Sequence, residues 1–587
     1  MIKHLIILTQ ILFVSVLNAQ TSTESFTKDI DQLYTLLENK HVAPYWNTSK
    51  ENLLVVIQNA KKNIQDKEMC DATCYVEIFK IVSALNESHS YISSKSRYEL
   101  LGYLPITIKW FEEGLFVVKT SSEYEEILGQ KIVSVNGTDI EMVIEKLKQV
   151  IPHTNSSRIK KYIGSYLHLP GLLYGLGISE KPSEAMFVFE KNGIQVKRLL
   201  KNLSPEDEAK TTFKSIAKSD NYFQRNVNSY YWFDYNPELR LVYFQFNRIG
   251  NMESESSTAF AERLWATVDS VNVDKFVLDL RYNGGGSFPY SLKFIQGIVD
   301  RPKINKRGKL FIITGYDTFS AAITMVNQLE QRTQAIIVGE YPCASPSHPG
   351  DPENYTLENS GIEVSLSSLY HPTVFMDDKR NATILDKHLE LFWDDYNNGI
   401  DPSLDFILNF EEDISLVNSS EFSDKIGNYE YSAIRNMQIK EIEDRLYLEI
   451  DGALLSPLYS IDESDRFATE VEGLTLLLMD DLIEFHFPDG KVKKFKKINP
   501  DTKSAIDYLY MGNIQQAEQE YLSIKEVDSD YIELKDHQFS FLASIIYFDL
   551  RNNPNKDASS IAKDILNLGI RLNEGNAPFC EFSLRFY

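Results

Sequence analysis

The stretch KFVLDLRYNGGGS, residues 275–287, contains the pattern that decides the fold. Its first half is almost continuously apolar from Phe276 to Leu280, which predicts a strand buried on both faces, as in a parallel sheet covered by helices. Three consecutive glycines, Gly284 to Gly286, follow this strand. Glycine lets backbone N–H groups approach a ligand without interference from a Cβ atom, so the loop suits either a phosphate or an oxyanion.

The spacing of the glycines separates these two ligands. A dinucleotide site requires the spaced pattern G-x-G-x-x-G, and a P-loop requires a Lys followed by Ser or Thr. Neither pattern is present in residues 279–287. The loop therefore favours an oxyanion.

Strands and helices alternate on both sides of this loop. The sequence predicts strands at 241–246, 275–280, 310–314 and 335–338, with helices between them. This alternation indicates an α/β core, and loops at the strand ends are where an active site is expected.

A second loop, GYDTFSAA at residues 315–322, also follows a buried strand and opens a helix. The hydroxyl of Ser320 would lie at a helix N-terminus, where the partial positive charge favours an oxyanion. The alternative is that Ser320, or Thr318, only caps the helix.

The two loops together resemble those of the C-terminal-processing, or tail-specific, serine peptidase family. The resemblance rests on a strand that ends in DLRxNGGG, followed by a second strand and then by FSAA. It covers roughly residues 80–410. It implies a crotonase-like ββα-spiral core, with Ser320 as the nucleophile. It also implies an oxyanion hole formed by the backbone N–H of Ala321 and of Gly285 or Gly286. Gly339-Glu340 matches the Gly-Glu pair that follows the next strand in the family.

The general base is where the branches of this family differ. The processing proteases use a lysine shortly after the Gly-Glu pair, but residues 341–348, YPCASPSH, contain none. The tricorn-core-like branch, with interphotoreceptor retinoid-binding protein-like relatives, uses a Ser-His pair from an earlier loop. This resemblance implies Ser88 and His89, with His89 as the base, because an imidazole can take up a proton near neutral pH. His348 is a reserve base, and its alternative reading is an ordinary loop histidine.

The acidic member of the site departs from the family pattern. The same branch has a glutamate just before a Gly-Val/Ile-x-Pro turn, and here residues 393–402 read WDDYNNGIDP. The expected position falls on or next to Tyr396, so Asp395 or Asp394 is the implied replacement. Adjacent aspartates before a turn are also typical of solvated or capping residues. The resemblance implies no metal and no organic cofactor.

The rest of the chain predicts a multidomain α/β protein. The segment LGQKIVSVNG at 128–137 resembles a strand of PDZ domains, which bind peptide C-termini by strand addition. The predicted parts are a signal peptide (1–19), an N-terminal helical domain (20–98), a PDZ-like domain with an insertion (99–202), the peptidase core (203–412), an accessory β domain (413–500) and a helical tail (501–587).

The N-terminus and the charge indicate the compartment and the partners. Lys3 precedes an apolar run that ends near Ala19, which predicts a secretory signal peptide and export to the periplasm or the medium, with no membrane segment in the mature chain. The net charge of −24 argues against nucleic acid or anionic membrane as a partner. The four cysteines, of which Cys70 and Cys74 could pair, are expected to be free or incidental.

Two hypotheses follow from the sequence. The first is an exported serine-type peptidase that hydrolyses polypeptide substrates, in unfolded or C-terminal segments, by a Ser-His mechanism. The second is a catalytically silent peptide-binding or scaffold protein that keeps the peptidase fold.

Overall fold

The computed structural model describes residues 22–65, 67, 70–216, 221–375, 378, 380–411, 420, 422–432, 434–450, 453–461, 465–469, 474–487, 490–527, 534–575 and 577–584. The predicted signal peptide, residues 1–19, lies outside the described residues.

The N-terminal part is mainly helical. Ser22, Ser49 and Asp71 each accept a backbone N–H at the start of a helix, which satisfies one of the donors that a helix leaves unpaired there. The elements are α1 (Thr23–Lys40), α2 (Lys50–Ile64), α3 (Ala72–Ser83), β1 (Tyr91–Ile92) and α4 (Ser94–Leu101).

A seven-stranded sheet and several helices follow. Asn192 and Gly193 both have positive φ and form the hairpin turn between the sixth and seventh strands. The elements are β2 (Ile106–Phe111), β3 (Gly114–Ser121), β4 (Lys131–Val135), β5 (Thr138–Asp139), α5 (Ile140–Lys148), α6 (Ser156–Leu167), α7 (Pro170–Gly175), β6 (Glu184–Lys191), β7 (Ile194–Lys201), α8 (Pro205–Glu208) and β8 (Phe213–Ser215). The main path of the sheet is β2-β3-β4-β6-β7.

The N-terminal helices and this sheet share one hydrophobic core. Phe79 on α3 and Tyr166 on α6 meet edge to face with ring centroids 6.3 Å apart, and both are buried. The same buried cluster continues to Val364 and Leu366 in the central part of the chain. The helices before residue 102 are therefore packed against the region that carries the predicted PDZ-like strand.

The central part confirms the mixed α/β class. Strands β10 to β13 run parallel with helices between them, and all five residues of the strand at 310–314 are buried. The sheet order is β16-β13-β12-β11-β10-β9. The elements are β9 (Tyr231–Asn236), β10 (Leu241–Phe246), α9 (Ser257–Ser270), β11 (Lys275–Asp279), α10 (Leu292–Val299), β12 (Leu310–Thr314), α11 (Ala321–Arg332), β13 (Ile336–Gly339), β14 (His348–Thr356), β15 (Glu363–His371), β16 (Lys387–His388), α12 (Trp393–Asn398) and α13 (Pro402–Leu408).

A small three-stranded sheet joins the N-terminal part to the central part. Strand β1 pairs antiparallel with β15, with Tyr91 opposite Ser365 and Ile92 opposite Val364, and β15 pairs with β14. Because β1 begins two residues after His89, this pairing fixes the end of the histidine loop against the central part of the chain.

The C-terminal part contains two antiparallel sheets and then helices. The strands are β17 (Gly427–Ser432), β18 (Arg435–Ile442), β19 (Arg445–Ile450), β20 (Ala453–Pro457), β21 (Tyr459–Ser460), β22 (Arg466–Ala468), β23 (Thr475–Leu478), β24 (Leu482–His486) and β25 (Val492–Lys496). The helices are α14 (Ala505–Met511), α15 (Ile514–Val527), α16 (Asp536–Leu550), α17 (Ala558–Leu572) and α18 (Pro578–Ser583). In the part of the chain that the structure describes, none of the helices combines the length and the apolar character needed to cross a bilayer. Cys70, Cys74, Cys343 and Cys580 are buried and free.

Candidate active site

The serine loop is held against the glycine loop by hydrogen bonds between their backbones and side chains. Thr318 Oγ1 donates to the carbonyl oxygen of Leu280 (2.8 Å) and accepts from the N–H of Gly315 (3.0 Å). The N–H of Phe319 donates to the carbonyl oxygen of Asn283 (2.9 Å). The two loops that the sequence singled out are therefore one structural unit at the carboxyl ends of β11 and β12.

Ser320 has an unusual backbone conformation, with φ 54° and ψ −127°. A non-glycine residue in this region costs free energy, and such residues concentrate at functional sites. Ser320 occupies the N-cap position of α11, yet its side chain makes no capping hydrogen bond. The capping alternative therefore does not account for this serine, whose hydroxyl lies half-buried at the positive end of a helix.

Two backbone N–H groups beside Ser320 are unpaired within the described residues. A Cβ atom on Gly285, which has φ 96°, would lie 2.8 Å from Ser320 Cβ and 3.1 Å from the nitrogen of Ala321, so only glycine fits this approach. The N–H of Gly285 donates to Asn283 Oδ1 (2.9 Å). The N–H groups of Gly286 and Ala321 have no such acceptor. Gly285 and Gly286 are the alternatives for the second N–H of the oxyanion hole. Since the N–H of Gly285 is already used, Gly286 is the one whose N–H is available within the described residues.

His89 lies beside the serine loop. Its imidazole stacks on the ring of Phe319, the residue before Ser320, with centroids 4.1 Å apart and planes 23° apart. The side chain is buried, and neither ring nitrogen has a hydrogen-bond partner among the described residues. Buried polar atoms are usually paired, so two unpaired imidazole nitrogens next to an unused serine hydroxyl indicate a functional arrangement. The structure thus brings together Ser320, His89, Gly285, Gly286 and Ala321.

Two residues that the sequence did not single out hold the His89 loop. The carboxylate of Glu87 accepts the backbone N–H of His89 (2.6 Å) and the hydroxyl of Ser367 (3.1 Å). Burial opposes its charge, but the partner His41 brings the pKa of Glu87 below its ordinary value. Arg158 Nη2 donates to the carbonyl oxygen of Ser88, and its guanidinium lies 4.2 Å from the centroid of Phe319. Glu87 directly precedes Ser88 and His89 in the sequence, whereas Arg158 lies in the region predicted to be PDZ-like and belongs to no recognisable motif.

His348, the reserve base, lies against the imidazole of His89. His348 is stacked on His89, with centroids 4.8 Å apart and planes 4° apart, and His371 lies 5.5 Å further on. His348 Nδ1 donates to the carbonyl oxygen of Pro346 (2.9 Å). Burial, and after it His348 and Arg158, hold the pKa of His89 well below its ordinary value. Burial also lowers the pKa of His348 to about 4. Both imidazoles are therefore neutral at neutral pH.

The buried imidazole of His348 predicts that the protein loses stability in mild acid. The unfolded state takes up a proton near pH 6.5, but the folded state does so only near pH 4, so stability falls as the pH drops between these values. The expected loss from this one residue is about 3 kcal/mol. Urea unfolding of His348→Gln at pH 7 and pH 4.5 should show a smaller decrease than the parent protein. His388→Gln, at a side chain that is 40% exposed, should behave like the parent. Equal decreases in all three proteins would contradict the prediction.

Ser88 and Asp395, the other two predicted catalytic residues, form no hydrogen bond with the His89 ring in the described part of the chain. The Ser88 hydroxyl hydrogen-bonds with Thr154 Oγ1 (3.0 Å) and donates to the carbonyl oxygen of Cys343 (3.4 Å). Asp395 lies in the first turn of α12 and is only partly buried. Partial burial, Glu113 and Asp394 raise its pKa. Within the described residues, no hydrogen bond or ion pair joins a carboxylate to the His89 ring.

Glu340 occupies a separate cavity at the ends of β12 and β13, which Lys109 and Asp317 also line. Burial and then Glu390 raise the pKa of Glu340 to about 8. Among the described residues, no group of three or more His, Cys, Asp or Glu side chains is arranged to hold a metal ion.

Comparisons with known proteins give structural neighbours only. No family model matches the sequence, and no curated protein does. The chain is similar to mature CPAF complexed with lactacystin (12% identity, TM-score 0.47, 66% of this chain and 99% of that chain). It is also similar to the photosystem II D1 C-terminal processing protease (16%, 0.32, 62% and 93%). A third neighbour is the tricorn protease (14%, 0.29, 66% and 36%). Since all three TM-scores lie below 0.5, the functional argument rests on the geometry of the site itself.

Proposed function

We propose that this protein is an exported serine-type peptidase of the tail-specific family, tricorn-core-like branch. One observation carries the proposal: Ser320, with its strained backbone and a hydroxyl that caps nothing, follows a phenylalanine on which a buried imidazole with two unpaired nitrogens is stacked. The substrates are polypeptides, cleaved in unfolded or C-terminal segments. No metal or organic cofactor takes part in the proposed chemistry.

The proposed mechanism uses His89 as general base. Ser320 Oγ attacks the carbonyl carbon of the scissile bond while its proton passes to a ring nitrogen of His89. The N–H groups of Ala321 and Gly286 donate to the oxyanion of the tetrahedral intermediate. His89 then gives the proton to the leaving amine, and water hydrolyses the acyl-enzyme in a second round of the same steps. Asp395 remains our proposal for the acidic member, and Ser88 for a residue that positions His89.

The proposal extends to the organisation of the chain. A crotonase-like core would carry the serine and glycine loops, and the seven-stranded sheet would act as a PDZ-like module that recruits peptides by strand addition. The signal peptide at 1–19 would direct the chain to the periplasm or the medium. The alternative function is a peptide-binding scaffold without activity, which is favoured by the finding that no carboxylate among the described residues is hydrogen-bonded to the His89 ring.

A fluorophosphonate probe distinguishes the two functions. The probe reacts with serine hydroxyls that are activated by a base and loses fluoride as it does so. We therefore expect the full-length protein to gain, in intact mass spectrometry, the mass of one probe molecule less HF. Ser320→Ala should gain none. Ser287→Ala is the matched control, because Ser287 is an exposed serine next to the glycine loop, and this variant should be labelled like the parent. A folded parent protein that stays unlabelled would favour the scaffold.

A further inference from the structure

A second cavity lies behind the histidine loop, between α4 and α6. Its volume is about 150 Å³, and its lining includes Tyr91, Ser94, Arg97, Arg158, Tyr162 and Tyr166. Ser94 is exposed, whereas Arg97 and Arg158 are 7% and 4% exposed. The cavity therefore leads from the surface at Ser94 to two buried guanidinium groups.

Neither guanidinium forms an ion pair with a carboxylate among the described residues. Arg97 Nη2 donates to Ser94 Oγ (2.9 Å), and the group lies 4.9 Å from the ring centroid of Tyr166. Arg158 donates to the carbonyl oxygen of Ser88 and lies 4.2 Å from the ring centroid of Tyr162. The Nε atoms of both arginines are buried and unpaired.

Two other arginines with little exposure are neutralised by carboxylates. Arg281 lies between two aspartates, and Arg380 pairs with Glu330 and Asp378. A buried positive charge without a counter-charge costs several kcal/mol, and two in one cavity repel each other as well. Arg97 and Arg158 thus combine charge, unpaired N–H donors and an opening to solvent.

We propose that the cavity between Arg97 and Arg158 is a binding site for a compact oxyanion, such as a carboxylate or a phosphate. Planar guanidinium groups match the geometry of these anions, and charge-assisted hydrogen bonds are strong in a buried setting. A volume of about 150 Å³ admits such a group but not a folded partner. The anion comes either free from solution or as the terminal carboxylate of a peptide.

The location of the site couples it to the serine and histidine loops. Arg158 contacts the ring of Phe319, the residue before Ser320, and the carbonyl oxygen of Ser88, the residue before His89. An anion that binds Arg158 would fix the position of this side chain between the two loops. The binding site itself does not depend on the proposed peptidase activity.

Calorimetric titration and thermal unfolding of the full-length protein test this site. Ser320→Ala serves as the parent, so that hydrolysis cannot consume a peptide probe. The probes are acetate and inorganic phosphate, each compared with chloride at equal ionic strength. We expect saturable binding of at least one probe and a Tm that rises with it. Adding Arg97→Met should weaken binding roughly tenfold or more, since it removes charge-assisted hydrogen bonds. Adding Lys95→Met instead, at an exposed lysine of the same helix, should leave binding unchanged.

Two further outcomes decide the source of the anion. A short peptide with a free carboxylate that competes with acetate, while its amidated form does not, assigns the site to peptide ends. Competition by neither peptide assigns it to free anions. Absence of saturable binding by acetate, phosphate and the acid peptide would overturn the proposal, as would equal affinity in Arg97→Met. Because the readout is binding in a protein that lacks Ser320, it is separate from the test of peptidase activity.

Discussion

Replacing Ser320 or His89 by alanine is expected to reduce peptide hydrolysis by roughly 10⁴-fold or more in each case, because members of one catalytic unit lose almost the whole effect when either is removed. The double variant should be little worse than either single variant. The loss of activity is measured as the initial rate of hydrolysis of an unfolded polypeptide. Circular dichroism first shows that each variant is folded. Full activity in His89→Ala would refute the role of His89 and direct attention to His348.

The pH dependence of the same activity follows from the burial of His89. Because burial holds its pKa well below the ordinary value, the imidazole stays neutral and able to accept a proton in mildly acidic solution. The acid limb of kcat/KM should therefore lie below pH 6.5, the ordinary value for histidine. The sequence carries no information on this burial, so it predicts only that an imidazole can take up a proton near neutral pH.

Replacing Arg281 by methionine is expected to destabilise the protein by about 3–5 kcal/mol, because two buried carboxylates would lose their shared counter-charge. Arg281 Nε donates to Asp279 Oδ2 (2.8 Å), and Nη2 donates to Asp401 Oδ2 (2.7 Å). Asp279 and Asp401 are both buried. The network ties the end of β11 to the start of α13, so activity should fall as well.

Urea unfolding at pH 7 and pH 5 tests the Arg281 prediction. Unpaired buried carboxylates have a raised pKa in the folded state, so Arg281→Met should recover part of its stability as the pH falls. The matched control is Arg240→Met. Arg240 pairs with Asp274 at the surface, where side chains are 55% and 40% exposed, and its loss should cost less than about 1 kcal/mol. Similar losses in the two variants would contradict the prediction.

The sequence predicts the parallel strands well because each is a short apolar run followed by a loop. It does not predict β14, whose residues HPGDPENYT include two prolines and almost no apolar side chains. This strand forms because it pairs antiparallel with the next strand, β15, from His348 to Thr356, and that pairing uses backbone N–H and C=O groups that leave no apolar pattern in the sequence.

The same distinction applies to the site. Ser320, the glycine loop and His89 carry recognisable short motifs, so they could be proposed from the sequence. Arg158 and Arg97 could not, because their importance lies in the lack of a partner inside a cavity, which only the three-dimensional arrangement gives. Among the described residues no carboxylate is hydrogen-bonded to the His89 ring, so Asp395 stays a prediction from the sequence.

The pairing of β1 with β15 has a consequence for the order in which the protein matures. The backbone N–H of Ser367 donates to Ser90 Oγ (3.0 Å), and these two residues are 277 positions apart in the chain. Contacts between such distant segments form late, because the long loop between them must close first. A growing chain that already contains His89 and Ser320 still lacks the strand that fixes the histidine loop until residue 371 has been synthesised. The proposed hydrolytic centre is therefore assembled only after more than half of the polypeptide has been synthesised.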